Sequence, residues 1–219
     1  MPATLALYFD FISPYAYLAW QEVHALAERH GRTVEPIPVL FAALLDAHGH
    51  KGPAEIAPKR VYIFKHVLRV AHRLQVPLQP PPAHPFNPLL ALRVAGLPHA
   101  PADRRRIIDA LYRETWSGGS GVDTPDKVAH VLTAAGFDGP ALVAAASHDE
   151  AKARLRTQTE AALDAGVFGV PTIIVDDELF WGHDAFPDID RYLSGHDPVK
   201  PEALERWKGL PASARRPGS

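Results

Sequence analysis

The chain has 219 residues, with 23 basic against 25 acidic side chains and a formal charge of -2. That length suits one large domain or a domain carrying a sizeable insertion, and 47% hydrophobic residues are enough for a packed core. The near-neutral balance argues against nucleic acid or an acidic membrane surface as a main partner. The absence of cysteine excludes disulfides, thiolate metal sites and a cysteine nucleophile. Any thiol chemistry must use a sulfur that arrives with a ligand.

No apolar run reaches the roughly 20 residues that a membrane helix needs, and no basic-then-apolar leader is visible, so the expected compartment is the cytoplasm. Leu5, Leu7, Phe9 and Phe11 alternate with Ala6, Tyr8 and Asp10, the period of a strand. Ser13-Pro14 then starts a helix. Proline suits the first helical position, and a serine hydroxyl before it can cap an orphan N–H. Tyr15, Ala19, Val23 and Leu26 continue at helical spacing to a stop at Gly31. Residues 34–41 read as a second strand, and Pro36 and Pro38 put it at a sheet edge.

The middle of the chain reads as helical: residues 60–74, 89–95, 101–116, 124–135 and one long element over 140–165. Between them, "LQPPPAHPFNP" and "SGGSG" are loops; the second lacks the strand-to-helix setting of a phosphate cradle. The strand pattern returns in "VPTIIVDDELFWG", a hairpin over 172–175 and 178–181 turning at Asp176-Asp177. A short amphipathic helix over 185–193 follows. From His196 on the chain reads as irregular, with disorder after Leu210. Four short strands must share one sheet to bury their faces, so β-α-β and β-β-α combine into an α/β domain interrupted by helices. This assigns 1–41 with 166–195 to the sheet domain, 42–165 to an all-helical insertion and 196–219 to an extension.

Ser13 admits two readings. It is an ordinary N-cap, or its hydroxyl presents a hydrogen bond to an anion that the helix N-terminus stabilises. "GVFGVPT" is a plain helix-to-strand loop, or it sets Pro171 at a sheet entrance and leaves the backbone of Val170 free to pair with an extended ligand. A cis Val170–Pro171 bond is the natural geometry for the second case. Among twelve histidines, His48 with His50 and His66 with His72 match no familiar ligand spacing, so no metal is expected. His24 and His30 read as surface residues, and Trp116 and Trp207 as packing residues.

"DFISPYAYLAW", "GVFGVPTIIV" and "FWGHDAF", in that order around a helical insert, resemble the 2-hydroxychromene-2-carboxylate isomerase family. That family is similar to kappa-class glutathione transferases and has the DsbA-like thioredoxin fold. The resemblance spans roughly residues 4–193. It implies a glutathione-dependent enzyme in which Ser13 replaces the first redox cysteine, and Ala16 stands three residues later. Such a pair cannot cycle through a disulfide.

The same resemblance implies that Val170 pairs through its backbone with the cysteinyl unit of glutathione, beside Pro171. Trp181, Gly182, His183 and Asp184 would hold the γ-glutamyl end. Asp184 is also a candidate N-cap. Lys59 and Tyr62 would meet the substrate carboxylate or the glycyl end; they also read as a solvated helix face. Asn87 would lie near an aromatic substrate, or serve as a turn residue. His66 departs from the family pattern, in which an acidic residue is common. The implied reaction is cis–trans isomerisation of a small aromatic carboxylate, in a homodimer. The alternatives are a kappa-like transferase and a non-catalytic binding module.

Overall fold

The computed structural model describes residues 4–211. Through Ala185 they form one compact unit, and from Phe186 a second, smaller one. In the first unit a four-stranded sheet runs in the order β2-β1-β3-β4. Strand β1 (Thr4–Phe9) buries Leu5, Leu7 and Phe9 completely and half-buries Ala6 and Tyr8, so its alternation survives as a core face and a partly covered face. Helix α1 (Pro14–Arg29) returns the chain to β2 (Thr33–Pro38), which pairs parallel to β1 with Leu7 opposite Pro36 and Phe9 opposite Pro38. The prolines lie in an edge strand, as their missing N–H groups require.

The expected strand over 34–41 ends early. Pro38 closes it, and Phe41 already begins helix α2 (Phe41–Ala47). No local side chain caps α2. Two distant ones do: Thr159 Oγ1 accepts from Leu40 N–H at 3.1 Å and Asp10 Oδ2 from Phe41 N–H at 3.0 Å. Orphan donors at a helix start need acceptors, and here only tertiary contacts supply them.

A 3₁₀ turn (Pro53–Glu55) leads into α3 (Ala57–Leu74), which stops at Gln75 in the left-handed region, φ 56°. Helices α4 (Leu89–Ala95), α5 (Pro101–Trp116) and α6 (Pro125–Ala134) lie where the sequence places them. The expected single helix over 140–165 is two, α7 (Gly139–Ser147) and α8 (Asp149–Asp164). The break is at His148, extended at φ -70°, ψ 155°, and Asp149 and Glu150 then fill the first turn of α8, where carboxylates favour a helix start.

Strands β3 (Thr172–Val175) and β4 (Glu178–Trp181) form the expected antiparallel hairpin, and β3 pairs antiparallel to β1. Asp176 and Asp177 both take positive φ, 48° and 67°, the conformation that matches strand twist in a two-residue turn. A second 3₁₀ turn (His183–Ala185) follows. In the second unit, α9 (Phe186–Leu193) begins one residue later than expected, and α10 (Pro201–Lys208) forms where irregular chain was expected. Trp207 on α10 is 72% exposed rather than packed. Residues 212–219, and with them most of the expected disorder after Leu210, lie outside the described residues.

Both faces of the sheet are covered. On one, Phe9, Phe11 and Trp20 meet Tyr112 of α5, with the Phe11 and Tyr112 rings 4.7 Å apart at 60°. On the other, Tyr8, Ile37 and Ile174 pack with Val39, Leu44, Ala162, Val167 and Val170. Each large apolar side chain buried this way contributes roughly 1.5–3 kcal/mol. The insertion thus shares its core with the sheet. His24 is not a surface residue as expected. It stands half-buried, edge-on to Trp20 at 4.6 Å, with Nε2 buried and unpaired among the described residues. Burial, with a smaller effect of Arg105, lowers its pKa to about 4. Among the described residues no helix is long and apolar enough to cross a membrane.

Candidate active site

The site begins where β1 stops. Asp10 is fully buried, and its carboxylate accepts from Ile12 N–H at 3.0 Å as well as from Phe41 N–H. Burial raises its pKa to about 7, although both backbone donors pull the other way. The turn closes with Ser13 N–H donating to the Asp10 carbonyl at 3.1 Å. The insertion clamps this junction from above. Trp116 Nε1 donates to the Phe11 carbonyl at 2.8 Å, and His84 Nε2 lies 3.0 Å from the Ile12 carbonyl.

Ser13 is the N-cap of α1, and its Oγ accepts from Ala16 N–H at 3.2 Å. The same hydroxyl donates to the Val170 carbonyl at 3.4 Å. The Val170–Pro171 bond is cis, and Gly182 N–H donates to the Pro171 carbonyl at 2.9 Å. Val170 N–H has no hydrogen-bond partner among the described residues. An amino end of a sixteen-residue helix, a hydroxyl and an unpaired backbone donor therefore converge, a combination suited to a ligand that is anionic and extended.

Two glycines shape the rim. A Cβ on Gly169 would lie 2.6 Å from Trp181 Nε1, so the Trp181 ring can close over that backbone only because glycine is there. Gly182 has φ +93°, and a Cβ there would lie 2.5 Å from Asp184 Oδ1. Trp181 is 55% exposed and leans on Phe168 at 5.3 Å. The His183 imidazole turns to Glu22 of α1, with Nε2 2.5 Å from Glu22 Oε2.

Tyr15, two residues after Ser13, places its hydroxyl 2.7 Å from Nδ1 of His66 on α3. Tyr62 stacks on that imidazole at 6.0 Å and 10°. Burial, then the fields of Tyr62 and Asp184, push the Tyr15 pKa up to about 12, so Asp184 is close enough to be felt. Lys59 stands exposed in the first turn of α3. Asn87 is exposed and accepts from Leu89 N–H at 3.1 Å, which makes it the turn residue before α4. Among the described residues no group of three or more His, Asp or Glu could hold a metal.

Sequence reasoning missed Asp10, Glu22 and the Tyr15–His66 pair. The signal for the last was present: positions 59, 62 and 66 share one helix face. Asp10 was missed because one of its two carboxylate partners, Phe41 N–H, comes from α2, 31 residues on.

A family model for the DSBA-like thioredoxin domain matches residues 4–194. A 2-hydroxychromene-2-carboxylate isomerase of Sphingobium xenophagum is 32% identical over 199 residues, 88% of this chain and 99% of the relative. Glutathione S-transferase kappa 1 of Caenorhabditis elegans is 27% identical over 88% of this chain and 91% of its own length. A solved 2-hydroxychromene-2-carboxylate isomerase superposes with a TM-score of 0.80 at 25% identity, covering 95% of this chain and all 100% of its own. The chain belongs to the 2-hydroxychromene-2-carboxylate isomerase family, on the DsbA-like thioredoxin fold.

Proposed function

We propose that the protein is a glutathione-dependent cis–trans isomerase acting on 2-hydroxychromene-2-carboxylate or a close relative. The observation that carries this reading is the Ser13 hydroxyl at the amino end of α1, beside the unpaired N–H of Val170. The residues fit the tripeptide. Val170 and Pro171 offer backbone to the cysteinyl unit, Trp181, Gly182 and the backbone of His183 border the γ-glutamyl end, and the Asp184 carboxylate matches an α-ammonium.

Bound glutathione supplies a thiolate that adds reversibly to an electron-poor double bond. The protein's own part is to keep that sulfur ionised and the substrate in place. The α1 amino end favours the anion, as helix N-termini do for thiols. At 3.4 Å the bond from Ser13 to the Val170 carbonyl is at the limit of hydrogen bonding, so the hydroxyl proton is free to turn to a stronger acceptor. Lys59 and Tyr62 orient the substrate carboxylate, and Asn87 borders its ring.

Glutathione binding is tested by calorimetry, with thiolate absorbance as a second readout. Saturable binding with a depressed thiol pKa is expected, and no binding would overturn the reading. The 27% identity to a kappa transferase favours a second outcome on the same site, in which glutathione stays on an electrophile. Net consumption of glutathione with a halogenated aromatic acceptor marks that outcome.

A further inference from the structure

The proposed substrate class makes a chemical demand that the thiolate site does not meet. A 2-hydroxychromene-2-carboxylate carries its ring oxygen, a hydroxyl and a carboxylate on one carbon, which makes it a cyclic hemiketal. A double bond inside a six-membered ring is locked cis, so the ring must open before rotation. Opening needs a group that takes the hydroxyl proton and returns a proton to the departing aryl oxygen.

We propose that Tyr15 and His66 form the proton relay that opens this ring, with Tyr15 touching the substrate and His66 acting through it. The proposal rests on the substrate class inferred above. Its geometric basis is the 2.7 Å contact of the Tyr15 hydroxyl with His66 Nδ1, two residues from the Ser13 cap. α3 supplies the imidazole, and Tyr62, stacked on it and 62% exposed, holds its plane while presenting an open aromatic edge to solvent. His66 and Tyr62 of α3 thereby gather at one phenol.

The step balances. The Tyr15 oxygen accepts the proton of the substrate 2-hydroxyl while its own proton passes to His66 Nδ1. The bond from carbon 2 to the ring oxygen breaks, its electron pair stays on the aryl oxygen, and carbon 2 becomes a carbonyl. The proton on His66 then returns through Tyr15 to the aryl oxygen. No proton or electron is consumed. Because burial disfavours a free phenolate at Tyr15, the phenol relays the proton rather than storing charge.

Charged and titratable groups stand on the elements that meet at the relay. Tyr15 faces it from α1 and Asp184 from the loop after β4. Glu55 on the 3₁₀ turn packed against α3 is engaged by Gly52 N–H. On α3 itself stand Tyr62 and the exposed Lys59, Lys65 and Arg69.

Ring opening needs no glutathione, so the test omits it. Exchange between closed and open 2-hydroxychromene-2-carboxylate is followed by NMR with the full chain. The native protein should accelerate opening, with a pH-dependent rate because a proton is transferred. His66→Asn keeps an acceptor for the Tyr15 hydroxyl but cannot take its proton; Tyr15→Phe removes the relay atom. Each should lose about 100-fold and flatten the pH profile. His66→Asn should still bind glutathione as the native chain does, which guards against misfolding. Variants that keep the native rate and pH profile, or a native chain that does not accelerate opening, would overturn the relay. Failure to bind glutathione would instead overturn the thiolate site, and the ring-opening measurement would still decide this proposal.

Discussion

Ser13 Oγ lies 3.4 Å from the carbonyl oxygen of Val170, a residue 157 positions further along the chain. That one contact joins the start of α1 to the entrance of β3. It makes the cap of a helix and the edge of a proposed peptide-binding loop the same place.

Replacing Ser13 by alanine should therefore act twice. Loss of the cap costs about 1 kcal/mol of stability. Loss of the hydroxyl should raise the pKa of bound glutathione and lower the glutathione-dependent rate by about tenfold or more. Thiolate absorbance against pH, measured beside thermal melting, separates the two effects. An unshifted thiol pKa and full activity would remove Ser13 from the chemistry.

Stability should depend on pH through two groups of opposite sign. Asp10 has its pKa raised from 3.8 to about 7, so the fold prefers it protonated. Its cost is absent below about pH 4, grows through the interval and is fully present above pH 7; the three-unit shift corresponds to about 4 kcal/mol. His24 has its pKa lowered from 6.5 to about 4, so its charged form opposes folding in acid and that cost disappears as pH rises. Solvent reaches His24, which reduces its share to about 1–2 kcal/mol. Asp10→Asn should remove the alkaline loss and leave a profile that rises with pH, beneath a constant penalty for setting an amide NH₂ against a backbone N–H. Denaturant midpoints at pH 4.5 and 7.5 check this; parallel profiles for variant and native chain would contradict it.

Gly182→Ala places a methyl 2.5 Å from Asp184 Oδ1 at φ +93°. The loop must shift, at a cost of about 1–3 kcal/mol. Glutathione affinity should fall more than tenfold if Asp184 holds the ammonium. Calorimetry with glutathione and with an analogue lacking the α-amino group is the check: the analogue should bind the variant and the native chain alike.

Lys59→Ala should raise KM for the anionic substrate by about three- to tenfold and spare kcat, since an exposed cation steers and orients rather than reacts. The native KM should also rise with salt, and the variant's should not. Equal salt dependence in both would place the carboxylate elsewhere.

Local chemistry determined much of this protein. Period-two alternation marked β1, paired aspartates marked the β3–β4 turn, and proline at the first helical position marked α1 and α5, because these features act on neighbouring residues. Ser13 and the Val170–Pro171 loop were visible as motifs for the same reason. Tertiary structure alone decided where β2 ends, since the donors that open α2 are satisfied by Asp10 and Thr159 from other elements. It alone turned His183 onto Glu22, brought His66 to Tyr15 across 51 residues, and buried His24 against Trp20. Buried polar groups must find partners or shift their protonation, and those partners come from packing rather than from sequence neighbours.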